Sequence, residues 1–326
     1  DGTAFISNTA GSGGGAIAMD GTTFTGTNMT VADNSSLAAG GIGGVHSDMT
    51  VSNSVFRANT ADADFGGALV AVGVGGDYES TLKTRGNTFN GNKAAGDGGA
   101  VYVLNTIWKS SGDEFIANVA GQNGGAVRID EINFEEEPVD PIEARPVLVD
   151  DGTLLGMALA KPRPIPQPEA RYLTSIDGAH FEHNVAHGRD DANILSGLGG
   201  AIFALTDLTD ESHLGVSISD SDFVSNVARN GGAVVLGNVN RARINGSGFK
   251  DNRARAIPVT DERPGLVLNG DGGAILVGIA DVSVTDSEFS GNHAGGSGGA
   301  VYSIAANMRL GNSRLHDNTA RDSGGA

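Results

Sequence analysis

Among the Gly-Gly doublets of the chain, ten recur with the repeat, beginning at Gly14, Gly43, Gly66, Gly98, Gly124, Gly199, Gly231, Gly272, Gly298 and Gly324. Every one of these ten but the second is followed by Ala and then, wherever the chain continues, by a branched aliphatic residue. A companion motif places Phe5, Phe56, Phe89, Phe115, Phe181, Phe223, Phe249 and Phe289 three residues before Asn8, Asn59, Asn92, Asn118, Asn184, Asn226, Asn252 and Asn292. Two members depart from it: Phe24 stands four residues before Asn28, and Leu315 takes the place of Phe before Asn318. The basic period, from Gly98 to Gly124 or from Gly272 to Gly298, is 26 residues. Self-similarity at this period marks a stacked array, in which no single unit can bury its apolar face alone.

The content of one unit selects the array. From Gly98 to Asn118 the chain reads GGAVYVLNTIWKSSGDEFIAN, three short stretches of alternating or β-branched character separated by Gly, Ser and Asn, with no helical periodicity. Three short strands and three bends per unit describe one turn of an all-β, right-handed parallel β-helix, a β-solenoid whose strands pair with their counterparts about 4.8 Å above and below. Residues 1–326 then form a single domain of ten or more turns with loop insertions, a rod on the order of 50 Å long.

Strand alternation assigns roles within the turn. The first and third residues after the repeated Ala point inward, among them Ile17 and Met19, Val101 and Val103, Val127 and Ile129, Val234 and Leu236, and Ile275 and Val277. The Phe residues, with Phe24 counted among them, form a second interior column of stacked rings. Each Asn, from Asn8 to Asn318, is expected at a bend, where it tolerates a left-handed backbone and hydrogen-bonds its copies in adjacent turns. The Gly doublets mark the other sharp corner.

The pairs GGAIAM with FISN, GGAVYV with FNGN and GGAVYS with FSGN resemble the repeats of the chlamydial polymorphic outer membrane protein family. The resemblance spans most of the chain except about residues 130–175. It implies a passenger domain of an autotransporter, carried across the outer membrane by a C-terminal β-barrel and acting at the cell surface as an adhesin. This chain contains no such barrel, lacks the cysteines common in that family, and shares its repeat type with surface proteins of other bacteria. The implied location is extracellular: a bacterial surface, anchored through a region outside this chain, or secretion.

Thirty-nine acidic against 21 basic residues give a formal net charge of -18, which makes nucleic acid a poor partner. With no Cys, stability must come from repetitive packing and ladder hydrogen bonds. No apolar stretch reaches the roughly 18 residues needed to span a bilayer, and no signal peptide is present. Neither DGTAFISN at the start nor SGGA at the end reads as a polar cap, so the expectation is an internal segment of a longer surface protein. End-to-end or lateral self-association is the rival reading of the same open turns.

Departures from the period locate candidate binding features. Residues 130–175 carry Glu135, Glu136 and Glu137, the aliphatic GTLLGMALA and the proline-rich KPRPIPQP, an acidic insertion that is either a binding loop or tolerated surface chain. Residues 185–198 and 253–271 are insertions of equal phase, between the Asn and the Gly-Gly. The column two residues after the repeated Ala holds Val70, Tyr102, Phe203, Val235, Leu276 and Tyr302, and alternation points it outward. Tyr102, Phe203, Leu276 and Tyr302 are thus a candidate interaction surface, unless an inserted segment covers them.

Catalytic signals are weak. His180, His183 and His187 lack the helical spacing of a zinc site and read as surface histidines. Paired carboxylates, Asp220 with Asp222 foremost and also Asp62 with Asp64 and Asp190 with Asp191, make calcium the one metal to consider, against a solvated acidic surface. No other cofactor is indicated. The reading that follows is a cell-surface module for adhesion to, or recognition of, a host cell, a neighbouring cell or a matrix polymer, with a surface protein or glycan as partner. A lyase or hydrolase acting on polysaccharide along a pectate-lyase-like β-helix and a filament or sheath component are the alternatives.

Overall fold

The computed structural model describes residues 2–73, 80–132, 172–188, 196–206, 213–256 and 269–326. One uninterrupted turn shows how the sequence bends. Between Gly98 (φ 64°) and Gly124 (φ 61°), the left-handed residues Asn105 (φ 46°), Gly112 (φ 61°) and Ala117 (φ 53°) break the chain into strands Val101–Leu104, Thr106–Ser111, Glu114–Ile116 and Val119–Ala120. Four corners, rather than the three expected, therefore close each turn. The extra strand is the dipeptide after the ladder Asn, too short to show any alternation.

Stacking these turns produces four parallel sheets whose strands follow in chain order. A ten-stranded sheet, from Ala4–Ile6 to Arg314–His316, carries the Phe motif; we call it the Phe sheet. Nine-stranded sheets carry the segment after the Gly doublet (Ile17–Asp20 to Val301–Ile304, the doublet sheet), the following segment (Thr23–Thr27 to Asn307–Gly311, the third sheet) and the dipeptides (Ser35–Ser36 to Thr319–Ala320). No helix among the described residues is long and apolar enough to cross a membrane. The chain is a parallel β-helix.

The interior follows from register. Phe56, Phe89, Phe115, Phe181, Phe223, Phe249 and Phe289 are fully buried and stack with ring centroids 4.7–4.8 Å apart. Each ring sits at the strand spacing, so the sheet itself sets the stacking distance. Phe24 is not part of this column. It lies in the third sheet opposite Met49, and the Phe position of its turn is filled by Val31, the register partner of Phe5 and Phe56. The aliphatic pairs Val101 and Val103, Val127 and Ile129, Val234 and Leu236, and Ile275 and Val277 are buried; Ile17 and Met19, in the first turn, are partly covered.

The asparagines form a continuous ladder that includes Asn34 as well as the motif members. The side-chain oxygen of each Asn accepts both the backbone N–H and the Nδ2 of the Asn one turn before, as Asn118 does from Asn92 at 3.0 Å in each bond. Each Nδ2 also donates to the carbonyl at the Phe position of the preceding turn, so Asn118 reaches Phe89 O at 2.9 Å. The ladder Asn is not itself left-handed. That conformation belongs to the residue before it, Ala58, Ala117, His183, Ser225 and Asp251 among them, and this bend turns the Asn side chain inward. Asn28, four residues after Phe24, is left-handed but sits at the corner between the third and Phe sheets, outside the ladder.

The two residues of the Gly doublet have different jobs. Gly98 supplies the positive φ, whereas a Cβ on Gly99 would lie 2.1 Å from the carbonyl oxygen of Gly125 one turn on. The second doublet departs from the pattern: Gly43 and Gly44 lie inside strand Ile42–Val45, and the corner of that turn is Ala39–Gly40–Gly41, in register with Gly14 onward.

Candidate interaction surfaces

With the motif residues inside or at corners, any recognition chemistry lies on outward columns and where the chain leaves the rod. The chain leaves the described structure after Gly73, Ile132 and Thr206 and returns at Ser80, Tyr172 and His213, all between a doublet-sheet strand and a third-sheet strand. After Gly188 and Ala256 it leaves at the opposite edge of the doublet sheet, returning at Ser196 and Asn269. The insertions therefore depart from two corners that flank one sheet. Residues 133–171, with Glu135, Glu136, Glu137, GTLLGMALA and KPRPIPQP, lie outside the described residues, as do Asp190 and Asp191. The ends of the 130–175 segment belong to the rod: Val127–Glu131 and Tyr172–Asp177 are paired strands. Glu131, buried, accepts the His213 backbone N–H on both carboxylate oxygens, at 3.0 and 2.9 Å, and so anchors one returning end.

Between those corners runs the outward column of the doublet sheet: Val70, Tyr102, Arg128, Phe203, Val235, Leu276 and Tyr302, in register. It is not the exposed stripe expected of it. Tyr102, Phe203 and Leu276 are 5%, 2% and 5% exposed, and Tyr302 is half-buried. Phe203, Val235 and Leu276 pack with Leu198 and Leu205 in a small second core outside the solenoid wall. Alternation reports which side of the strand a residue faces, not what closes over it from elsewhere in the chain.

At the centre of this column is a charged group. The Arg128 guanidinium stacks 4.0 Å over the Phe203 ring, donates to Asp130 at 2.6 Å, and neighbours Tyr102, whose ring stacks on Phe65 at 4.4 Å. Burial works against the charge on Arg128, yet Asp130 and then Asp97 hold its pKa above the ordinary value. Burial, reinforced by Asp130, pushes the Tyr102 phenol well up, so it stays protonated. A desolvated cation held by a carboxylate and a ring fixes the orientation of the strand that leads into residue 133.

The acidic and histidine candidates do not converge. Asp222 begins strand Asp222–Val224 and faces out, but Asp220 is a left-handed corner residue (φ 47°), so the two do not share a strand face. Asp62 and Asp64 are exposed beyond a dipeptide strand. His180 and His183 each stand 3.5 Å from Glu182, and His187 is exposed. Among the described residues, no group of three or more His, Asp or Glu is placed to hold a metal ion.

Two features were not read from the sequence. Ser two residues before Phe forms a second ladder: Ser221 N–H donates to Ser247 Oγ at 3.3 Å and Ser247 N–H to Ser287 Oγ at 3.2 Å, with Asn87 and Asp113 substituting earlier. The recurring Ser-x-Phe at residues 54, 221, 247 and 287 carried that signal. The other feature is the central outward column of the third sheet, Thr25, Thr50, Lys83, Lys109, Ser175, Ser217, Arg243, Ser283 and Arg309. It contains only hydroxyls and cations.

These elements define a repeat solenoid of the parallel β-helix class, built from Phe-x-x-Asn and Gly-Gly-Ala units, with its variable chemistry outside. The family model described as the Chlamydia polymorphic membrane protein repeat matches residues 88–104 and 286–304, so the chain carries repeats of that type. Both stretches run from the Phe strand through the ladder Asn and doublet into GGAVY without an insertion. Neither the curated proteins nor the solved structures give a match.

Proposed function

We propose that the chain is a recognition rod displayed at a bacterial cell surface, an adhesin-type module that presents its sides and inserted segments to another cell or to a matrix polymer. The observation that carries this reading is the division of labour in the fold. Recurring residues are used for the core, the ladders and the corners, while non-recurring chain leaves at two corners that flank one sheet. A rigid scaffold that varies only in what it projects is suited to binding. The polymorphic membrane protein repeat supports a place at the outer surface.

Beads coated with the full chain are expected to adhere to at least one of three surfaces: cultured epithelial cells, bacterial cells or immobilised matrix polymer. Replacing residues 133–171 by a short Gly-Ser linker tests whether the long insertion is part of the contact. Adherence no greater than that of albumin-coated beads on all three surfaces would overturn the reading.

A further inference from the structure

Among the described residues, no inserted segment interrupts a strand of the third sheet, and its central column is chemically uniform. Nine register positions hold Thr, Ser, Lys or Arg and no carboxylate, in a chain whose acidic residues outnumber basic ones 39 to 21. Lys83 and Lys109 are direct register partners, an arrangement that like charges disfavour. Arg85 joins them in the next outward column, and Arg243 and Arg309 stand two strands apart across Ser283. Lys83, Lys109, Arg243 and Arg309 are all exposed. The last two line an open groove together with Arg241, Asp281, Ser283 and Asn307. The outward column of the neighbouring Phe sheet is mixed by contrast, running through Glu114, His180, Asp222, Gly248, Glu288 and Arg314. The central column of the third sheet thus lacks the carboxylates that the Phe-sheet column carries.

We propose that this face of the third sheet binds an anionic polysaccharide laid along the rod axis, an inference that rests on the recognition reading above and names its partner. From Lys83 to Arg309 is six strand steps, about 29 Å at the usual spacing, so one extended polymer can meet two basic clusters with a row of hydroxyls between them. Multiple weak contacts along one chain then add as avidity. Arg241, Arg243 and Arg309 outnumber the one carboxylate of the groove, Asp281, and acidic groups more than about 8 Å away are screened at physiological ionic strength. Nucleic acid fits less well: Trp108, the one aromatic of the strands that carry Lys83 and Lys109, points inward and is buried, so those two strands offer no platform for bases. A peptide adding as a strand would need a free edge, and the strands that carry Lys83, Lys109 and Arg243 are paired on both sides.

Binding of the full chain to dextran sulfate and to polygalacturonate, with neutral dextran and single-stranded DNA alongside, tests the proposal by affinity electrophoresis at low and physiological salt. The expected result is retention by one or both acidic polysaccharides, weakened by salt, and absent with dextran. Replacing Lys83, Lys109, Arg243 and Arg309 by Ser should weaken retention by about tenfold or more. A charge-matched variant with Lys93, Lys250, Arg253 and Arg255 replaced by Ser should keep it. Circular dichroism melts of both variants should match the parent, since all eight side chains are exposed. Equal loss in the two variants, no retention by either acidic polysaccharide, or stronger retention by DNA would overturn the proposal. Bead adherence measured on the same preparations separates the two readings: adherence without polysaccharide retention overturns this inference alone, and loss of both overturns both.

Discussion

The asparagine ladder makes a graded prediction, because an interior Asn and a terminal one lose different bonds on truncation. Asn118→Ala removes four hydrogen bonds: two donated by its Nδ2, to Asn184 Oδ1 at 3.0 Å and Phe89 O at 2.9 Å, and two accepted from Asn92, both at 3.0 Å. The Asn92 backbone N–H is left buried without its acceptor, and one Asn92 Nδ2 proton and the Phe89 carbonyl lose a partner. At about 1–3 kcal/mol per orphaned buried group, with some relaxation, the loss is about 3–6 kcal/mol. Asn8→Ala removes one side-chain bond, Nδ2 to Asn34 at 2.8 Å, at a partly exposed site, and should cost about 0.5–1.5 kcal/mol. Urea unfolding followed by fluorescence suits the comparison, since Trp108, the single tryptophan, is buried in the same turn as Asn118. A local probe is needed because repeat arrays need not unfold in one step. Equal losses at the two positions, or less than about 1 kcal/mol at Asn118, would refute the ladder as a source of stability.

Phe115→Ala should destabilise by about 3–5 kcal/mol, since the ring is fully buried between Phe89 and Phe181, and an unshifted thermal midpoint would contradict the stack. Gly99→Ala should prevent normal stacking, with a Cβ 2.1 Å from the Gly125 carbonyl, whereas Gly112→Ala meets nothing within 4 Å and should cost only the left-handed strain of about 1–2 kcal/mol; paired melts decide it. Burial raises the pKa of Asp113, which accepts from Asn87 at 2.8 Å and from Ser110 at 2.7 Å. The folded state then holds this proton more tightly than the unfolded chain, so stability from this group falls as pH rises from the ordinary carboxylate value through the raised one. Asp113→Asn should flatten that part of the stability-pH curve, and an unchanged curve by denaturant titration would assign the slope elsewhere.

The repeat class, the Phe and Asn columns and the aliphatic interior positions were legible because each recurs at a fixed spacing in the chain. Legibility failed where spacing misled or where neighbours in space are distant in sequence. Val31 hides a Phe position, while Phe24 and Asn28 imitate the motif from another sheet. The dipeptide strand is too short to alternate, and the left-handed residue beside each ladder Asn varies in identity from Ala117 to His183 to Asp251. Burial of Tyr102 depends on Phe65, and that of Phe203 on Arg128, Val235 and Leu276, all of which arrive from other turns. The column from Lys83 to Arg309 crosses insertions of different lengths, so only strand pairing aligns it.

The ladder also sets how much chain the rod can absorb. Asn118 and Asn184 are 66 residues apart yet make the same 3.0 Å bond as Asn92 and Asn118, 26 apart. Closing the longer loop costs only about 0.8 kcal/mol more, because the penalty grows with the logarithm of length. That is less than one of the hydrogen bonds it reconnects. Growth by insertion at a corner is therefore nearly free, and such a lineage can lengthen or exchange its projecting segments without renegotiating the scaffold beneath them.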